Sequence, residues 1–300
     1  MRTMPVAPAP ALLLCLALAG PLHAQGTPEQ RAAVSISAQY RIVPNVVYGV
    51  SDNFETKVDL YLPRGQQAPA PTLIQIHGGG WVGGNKEANA LRFLPYLEMG
   101  WAVANVQYRL GQVGLAPAAV EDSLCALRWV IRNAEQYGLD TDRIVVTGYS
   151  AGGHLALTTG ITPASAGLDR QCPGTEPLRV AAIVNWYGIT DVGDLLDGAN
   201  MRSYAVQWMG SLPDREAVAE RVSPLTYVRA GLPPVLTIHG DADPVVPYTH
   251  AVRLQDALDR AGVPNRLHTV PGGGHGNFTV AEYQDIYETV RQFLAEHVTE

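Results

Sequence analysis

Residues 145–154 read VVTGYSAGGH. A β-branched run, RIVVTG (143–148), leads straight into a Gly-x-Ser-x-Gly pattern centred on Ser150, and residues 151–160 then continue as a helix. A serine hydroxyl is a weak nucleophile unless it is held exposed beside a base. A sharp strand-to-helix turn does that holding. Its tight backbone leaves little room for side chains two positions to either side, which accounts for Gly148 and Gly152. The first turn of the helix adds free N–H groups and a partial positive charge facing the reacting centre.

The same alternation of strand and helix runs outward in both directions. TKVDLYLP (56–63) reads as a half-buried strand, and TLIQIH (72–77), AVANVQY (102–108), VAAIVNWYG (180–188), PVLTIHG (234–240) and NRLHTV (265–270) as further strands. Helical spacing marks 120–138, closed by Gly138, and also 248–261 and 280–297. This order predicts an α/β fold: a mostly parallel central sheet with helices on both faces. Ligands of such sheets sit beyond the carboxyl ends of the strands, so the residues just after each strand carry the functional reading. The stretch 189–232 does not alternate and holds Tyr204, Trp208 and Tyr227 among turn residues. Two readings of it are open, a small helical cap over the strand ends and an ordinary long crossover.

Three more strand ends bear chemistry. HGGGW (77–81) supplies glycines that let backbone N–H groups turn toward a ligand, as the oxyanion of acyl transfer requires. HGDADP (239–244) offers two carboxylates, Asp241 and Asp243, and PGGGHGN (271–277) puts His275 in a glycine-rich loop. A carboxylate paired with an imidazole stabilises the imidazolium that forms as a serine attacks. Either acid fits by position alone. His77 reads as a structural residue, and His154, inside a helix, and His268, inside a strand, are worse placed than His275; His239, His250 and His297 are the other competitors. The joint order decides: Ser, then Asp, then His, each just past a strand. Trp81, Tyr149 and Trp186 adjoin these motifs and are candidate pocket walls.

Composition bounds the alternatives. The chain has 300 residues, a formal net charge of −7 and only two lysines, Lys57 and Lys86, so it lacks the basic stripe of a nucleic-acid binder. Residues 1–24 read as a signal peptide, with Arg2 ahead of an apolar run and Ala24 at a small-residue exit. That run is far shorter than the ~20 residues of a membrane span. The expected address is secreted or periplasmic, with residues 25–300 as the mature domain. Cys125 and Cys172 remain after the leader; export permits a disulfide, and both pairing and free thiols are open. No Cys or His spacing marks a metal site.

Taken together, HGGGW, GYSAGG, HGDADPVVP and GGGHG resemble the α/β-hydrolases over about residues 45–297. The pattern is similar to secreted bacterial carboxylesterases of the acetyl and feruloyl esterase type, and more loosely to hormone-sensitive-lipase-like esterases, although the DPL-type acid signature of the latter group is absent. The resemblance implies Ser150 as nucleophile, His275 as base and Asp243, rather than Asp241, as its orienter. It places the oxyanion donors on the backbone of Gly79, Gly80 and Ala151, and gives Lys86 and the YRL segment (108–110) structural roles. The expected activity is hydrolysis of acetyl, other short acyl or feruloyl esters, free or linked to polysaccharide, through an acyl-enzyme and with no metal or cofactor. Amide or peptide hydrolysis on the same machinery, and a non-catalytic binding module on the same scaffold, are the alternatives.

Overall fold

The structure, a computed structural model, describes residues 28–298 apart from Leu212. The expected signal peptide, 1–24, lies outside the described residues. Eight strands form one sheet: β1 (Tyr40–Ser51), β2 (Phe54–Pro63), β3 (Ala70–Ile76), β4 (Ala102–Val106), β5 (Leu139–Tyr149), β6 (Ala182–Trp186), β7 (Val235–Gly240) and β8 (Asn265–Val270). Their order across the sheet is β1-β2-β4-β3-β5-β6-β7-β8. β1, β2 and β4 are joined antiparallel, and every pair from β4 to β8 is parallel. The expectation of a mostly parallel sheet is met.

The period of two in each strand divides its side chains between two cores. On β5, Ile144 and Val146 join one face and Val145 the other; on β3, Ile74 and Ile76 oppose Leu73. One face is covered by the helices Ala118–Arg132, Ala151–Ile161 and Thr249–Arg260 through Leu124, Leu127, Leu155, Leu254 and Leu258. The other is covered by Leu94–Glu98 and Val280–His297 through Tyr96, Leu97, Ile286, Val290 and Phe293. The last of these helices begins with a capping box, in which Thr279 and Glu282 satisfy each other's backbone N–H groups. Its bounds are those read from the sequence.

The topology fixes where the site can lie. From β3 the chain first moves outward to β4, then crosses to β5 on the other side. That reversal leaves a crevice beyond the ends of β3 and β5. Ile76 pairs with Gly148, Tyr149 with Trp186 and Gly240 with Val270, so the loops after β3, β5, β7 and β8 leave the sheet along one edge. The described residues of 189–232 fold as short helical pieces, including Ser203–Met209 and Arg215–Val222, joined to the body by hydrogen bonds such as Ala116 N–H to the Trp208 carbonyl, 3.0 Å, and Arg229 Nη1 to that of Ile161, 2.7 Å.

Two buried ionic clusters brace the antiparallel side. Lys86 Nζ lies 2.9 Å from Asp59, and Arg109 holds Asp122 through Nε and Nη2, with Asp52 on Nη1. Among the described residues no helix is long and apolar enough to cross a membrane. Cys125 and Cys172 are bonded to each other, tying the helix Ala118–Arg132 to the loop that follows Ala151–Ile161 across 47 residues of chain. Closing a loop of that size restricts the unfolded chain. The double variant C125S/C172S is therefore expected to unfold about 2–4 kcal/mol more easily in urea; an unchanged midpoint under oxidising conditions would contradict this.

Candidate active site

Ser150 sits between β5 and the helix Ala151–Ile161 at φ 57° and ψ −120°, a conformation rarely held by a residue with a side chain. Two bonds fix it there. Its N–H donates to the Trp186 carbonyl, 2.9 Å, and its own carbonyl accepts from His154 N–H, 3.0 Å. The flanking glycines are required by contact. A Cβ on Gly148 would fall on the Gly152 carbonyl, and a Cβ on Gly152 on the carbonyls of Ile76 and His77. The turn is thus pressed against the end of β3, and Ala151 opens a helix whose first N–H groups have no partner inside it.

The glycine loop after β3 is equally crowded. Gly79 and Gly80 both have positive φ, and a Cβ on Gly80 would strike the Tyr204 ring. His77 is fully buried, stacks on Tyr108 at 4.3 Å and bonds to the Gly78 carbonyl through Nδ1, 2.8 Å. Burial pushes its pKa down to about 4. It supports the loop, as its structural reading expects.

Asp243 and His275 meet across the ends of β7 and β8. His275 Nδ1 lies 2.7 Å from Asp243 Oδ2. Since a carboxylate only accepts, Nδ1 donates to it, which leaves Nε2 as the ring nitrogen not engaged by Asp243. The same Oδ2 lies 3.3 Å from His239 Nε2, and Oδ1 accepts the N–H groups of Val245, 2.7 Å, and Val246, 3.0 Å. The Asp243 side chain has no exposed surface. Burial pushes its pKa up, but the hydrogen bonds from His239 and His275 and those from the backbone outweigh it and hold the carboxyl well below the usual range. Asp241 is exposed and accepts Gly272 N–H at 2.6 Å, where it ties the two loops together. Geometry therefore separates two acids that position alone left equal.

Ser150 and His275 line one cavity of about 420 Å³, with Gly79, Gly80, Tyr149 and Tyr204. Of the three aromatic residues expected as walls, only Tyr149 reaches it. Trp81 is fully buried, stacked on Trp208 at 4.2 Å with Nε1 donating to His154 Nδ1, 3.1 Å. Trp186 is buried on the other face among Tyr149, Tyr283 and Tyr287. Adjacency to a motif did not fix the direction of either ring. Arg92 and Tyr187, which line the cavity, went unread in the sequence, and His239, weighed there only as a competing base, lies 3.3 Å from Asp243 Oδ2. Only His239 left a trace, four residues ahead of Asp243 at the end of its strand.

A protein-family model, BD-FAE, matches residues 58–258, more than half of the chain. The chain belongs to the BD-FAE family. The matched span includes the glycine loop, Ser150 and Asp243, and ends before His275. LipM of Mycobacterium tuberculosis, described as a probable carboxylic ester hydrolase, is 36% identical over 196 residues, 63% of this BD-FAE chain and 45% of LipM. This chain spans about half the length of the curated relatives it matches. Among solved structures, a truncated carbohydrate esterase from gut microbiota superposes with a TM-score of 0.71 at 29% identity, over 85% of this chain and 96% of that one. A thermophilic esterase of Thermogutta terrifontis, Est2, gives 0.69 at 28% identity, over 86% and 92%. The BD-FAE chain thus has the α/β-hydrolase fold of these esterases.

His154 Nε2 lies 2.7 Å from the Val222 carbonyl and must donate to it, so the ring is neutral with Nδ1 free to accept from Trp81. Burial pushes its pKa down to about 4 as well. In the unfolded chain both His77 and His154 titrate near 6.5. Between these values the unfolded state binds more protons, so their contribution is complete above pH 6.5 and is lost as pH falls toward 4. Denaturation midpoints should be lower at pH 5 than at pH 7, and His154→Gln should narrow that gap; an equal gap in the variant would contradict the assignment.

Proposed function

We propose that this chain is a secreted carboxylic ester hydrolase that works through an acyl-enzyme. The observation that carries the proposal is the Asp243–His275 pair facing the same cavity as Ser150. In this reading Ser150 Oγ attacks the ester carbonyl and His275 Nε2 takes its proton. Asp243, fixed by the Val245 and Val246 N–H groups, keeps the imidazole in the required tautomer and stabilises the imidazolium. The backbone N–H groups of Gly79, Gly80 and Ala151 hold the oxyanion; in a well-studied protease one such donor contributes about 2.7–4 kcal/mol. The alcohol leaves with the proton from His275, and water repeats the cycle on the acyl-serine.

The descriptions of LipM and Est2 as ester hydrolase and esterase support ester over amide cleavage. The carbohydrate esterase neighbour supports short acyl groups, or feruloyl groups, on a sugar as the substrate class. Export is supported by the leader read at residues 1–24 and by the disulfide, which suits an oxidising compartment. Residues 189–232 act as a small cap, with Tyr204 as the part that reaches the substrate.

Three substitutions assayed on p-nitrophenyl acetate test this. Ser150→Ala should abolish turnover while leaving the protein folded. Asp243→Asn should lower kcat roughly 10⁴-fold, and Asp241→Asn should cost far less. A wild-type rate in Ser150→Ala, or the reverse order of the two acids, would overturn the assignment, and faster turnover of an aminoacyl anilide would favour amide hydrolysis.

A further inference from the structure

The cavity beside Ser150 contains a cation that the proposed reaction does not use. Arg92, at the end of the short helix Lys86–Phe93, lines it together with His275. Its guanidinium lies over the Tyr149 ring, 4.5 Å from the centroid, and Nη1 donates to the Tyr187 hydroxyl at 2.8 Å. Tyr287 fixes its backbone by donating to the Arg92 carbonyl, 2.7 Å. Among the described residues no carboxylate pairs with it. Arg92 is half-buried, and the two more deeply buried arginines do have such partners, Arg109 in Asp122 and Arg128 in Asp169. Partly withdrawing a charge from water without a counterion is unfavourable. Here the surroundings are tyrosine rings, which attract the cation by their faces but leave most of its five N–H donors unused.

Two further observations point to a ligand. The chain carries a net −7, yet among the described residues no Asp or Glu lines this cavity and Arg92 is the one permanently charged side chain that does. Tyr187, which holds the guanidinium, is itself strained, at φ 40°, with its ring 4.6 Å from that of His275. Gly276 leaves it space, since a Cβ there would collide with the Tyr187 hydroxyl. A conformation of that kind persists where surrounding structure enforces it, commonly at ligand sites. The planar fork of arginine matches a carboxylate in two parallel hydrogen bonds.

We propose that Arg92 is a specificity-determining residue that receives a carboxylate carried by the ester substrate. The proposal rests on the ester-hydrolase reading of this site and narrows it to acidic esters. The carboxylate can belong to the acyl part, as in half-esters of dicarboxylic acids, or to the alcohol part, as in acylated hydroxy acids.

Matched substrates separate these sources. For the acyl side the pair is 4-nitrophenyl hydrogen glutarate against 4-nitrophenyl pentanoate; for the alcohol side it is 4-acetoxybenzoate against 4-acetoxybenzamide. In Arg92→Met the anionic-to-neutral ratio of kcat/KM should fall about 10–100-fold for one pair, mainly through KM, as loss of a charged hydrogen-bonded contact implies. Arg92→Lys should restore part of the ratio. Ratios unchanged from wild type in both pairs would overturn the proposal while leaving the esterase reading intact. Turnover of none of the four esters would sink the esterase reading instead. The inference is then read from NMR-detected binding of 4-acetoxybenzoate to Ser150→Ala with and without Arg92→Met. Weaker binding in the double variant supports it, and absent or equal binding overturns it.

Discussion

The site depends on one close approach, the serine turn pressed against the end of β3. Gly152 lies against the carbonyls of Ile76 and His77, and Gly148 against that of Gly152, so the backbone has no freedom to relax Ser150 into an ordinary conformation. Such strain costs about 1–3 kcal/mol. The helix that follows offsets it: residues 151–159 are all buried, and burial of a leucine such as Leu155 or Leu157 contributes about 1.5–3 kcal/mol. Packing of a helix on a sheet therefore sets the geometry of a single hydroxyl. The same contact brings the glycine loop after β3 beside that hydroxyl, because Ile76 and Gly148 are paired rungs of adjacent strands.

A second constraint acts two strands away. The Asp243 carboxylate is enclosed: Oδ1 accepts two backbone N–H groups and Oδ2 accepts from His275, with His239 Nε2 at 3.3 Å. Because Gly240 pairs with Val270, the loops holding Asp243 and His275 leave the sheet together, and Asp241 fastens one to the other through Gly272. A carboxylate saturated in this way cannot rotate without losing several bonds, so the imidazole it holds is oriented in advance. Both constraints meet at the cavity, which Gly79, Gly80, Tyr149, Tyr187 and Arg92 also line.

Much of this was legible in the sequence, for physical reasons. Parallel strands buried on both faces leave apolar β-branched runs, and chemistry clusters just after them, so Ser150, His275 and the pair Asp241 and Asp243 could be located by strand ends, while the choice of Asp243 came from the family resemblance. β1 escaped because Pro44 and a bulge between Val43 and Val46, with Asn45 at φ 56°, interrupt its alternation. Trp81 and Trp186 were misplaced because a position beside a motif does not say where a side chain points; Trp81, at φ 60°, turns into the core onto Trp208. Arg92 and Tyr187 were missed because the former ends a short helix without any motif, and their contact spans 95 residues. The pairing of Cys125 with Cys172 needed the fold, since only packing of the helix Ala118–Arg132 beside a distant loop brings their Cα atoms within 4.8 Å.

The account rests on Ser150 being made nucleophilic by this arrangement. Est2 of Thermogutta terrifontis, a structural neighbour at a TM-score of 0.68, has been captured phosphorylated by paraoxon. Intact-mass analysis and peptide mapping of this chain after paraoxon treatment test the claim most directly. One diethyl phosphate on Ser150, formed slowly in Asp243→Asn, is the predicted result; an ester-cleaving preparation with Ser150 unmodified would contradict it.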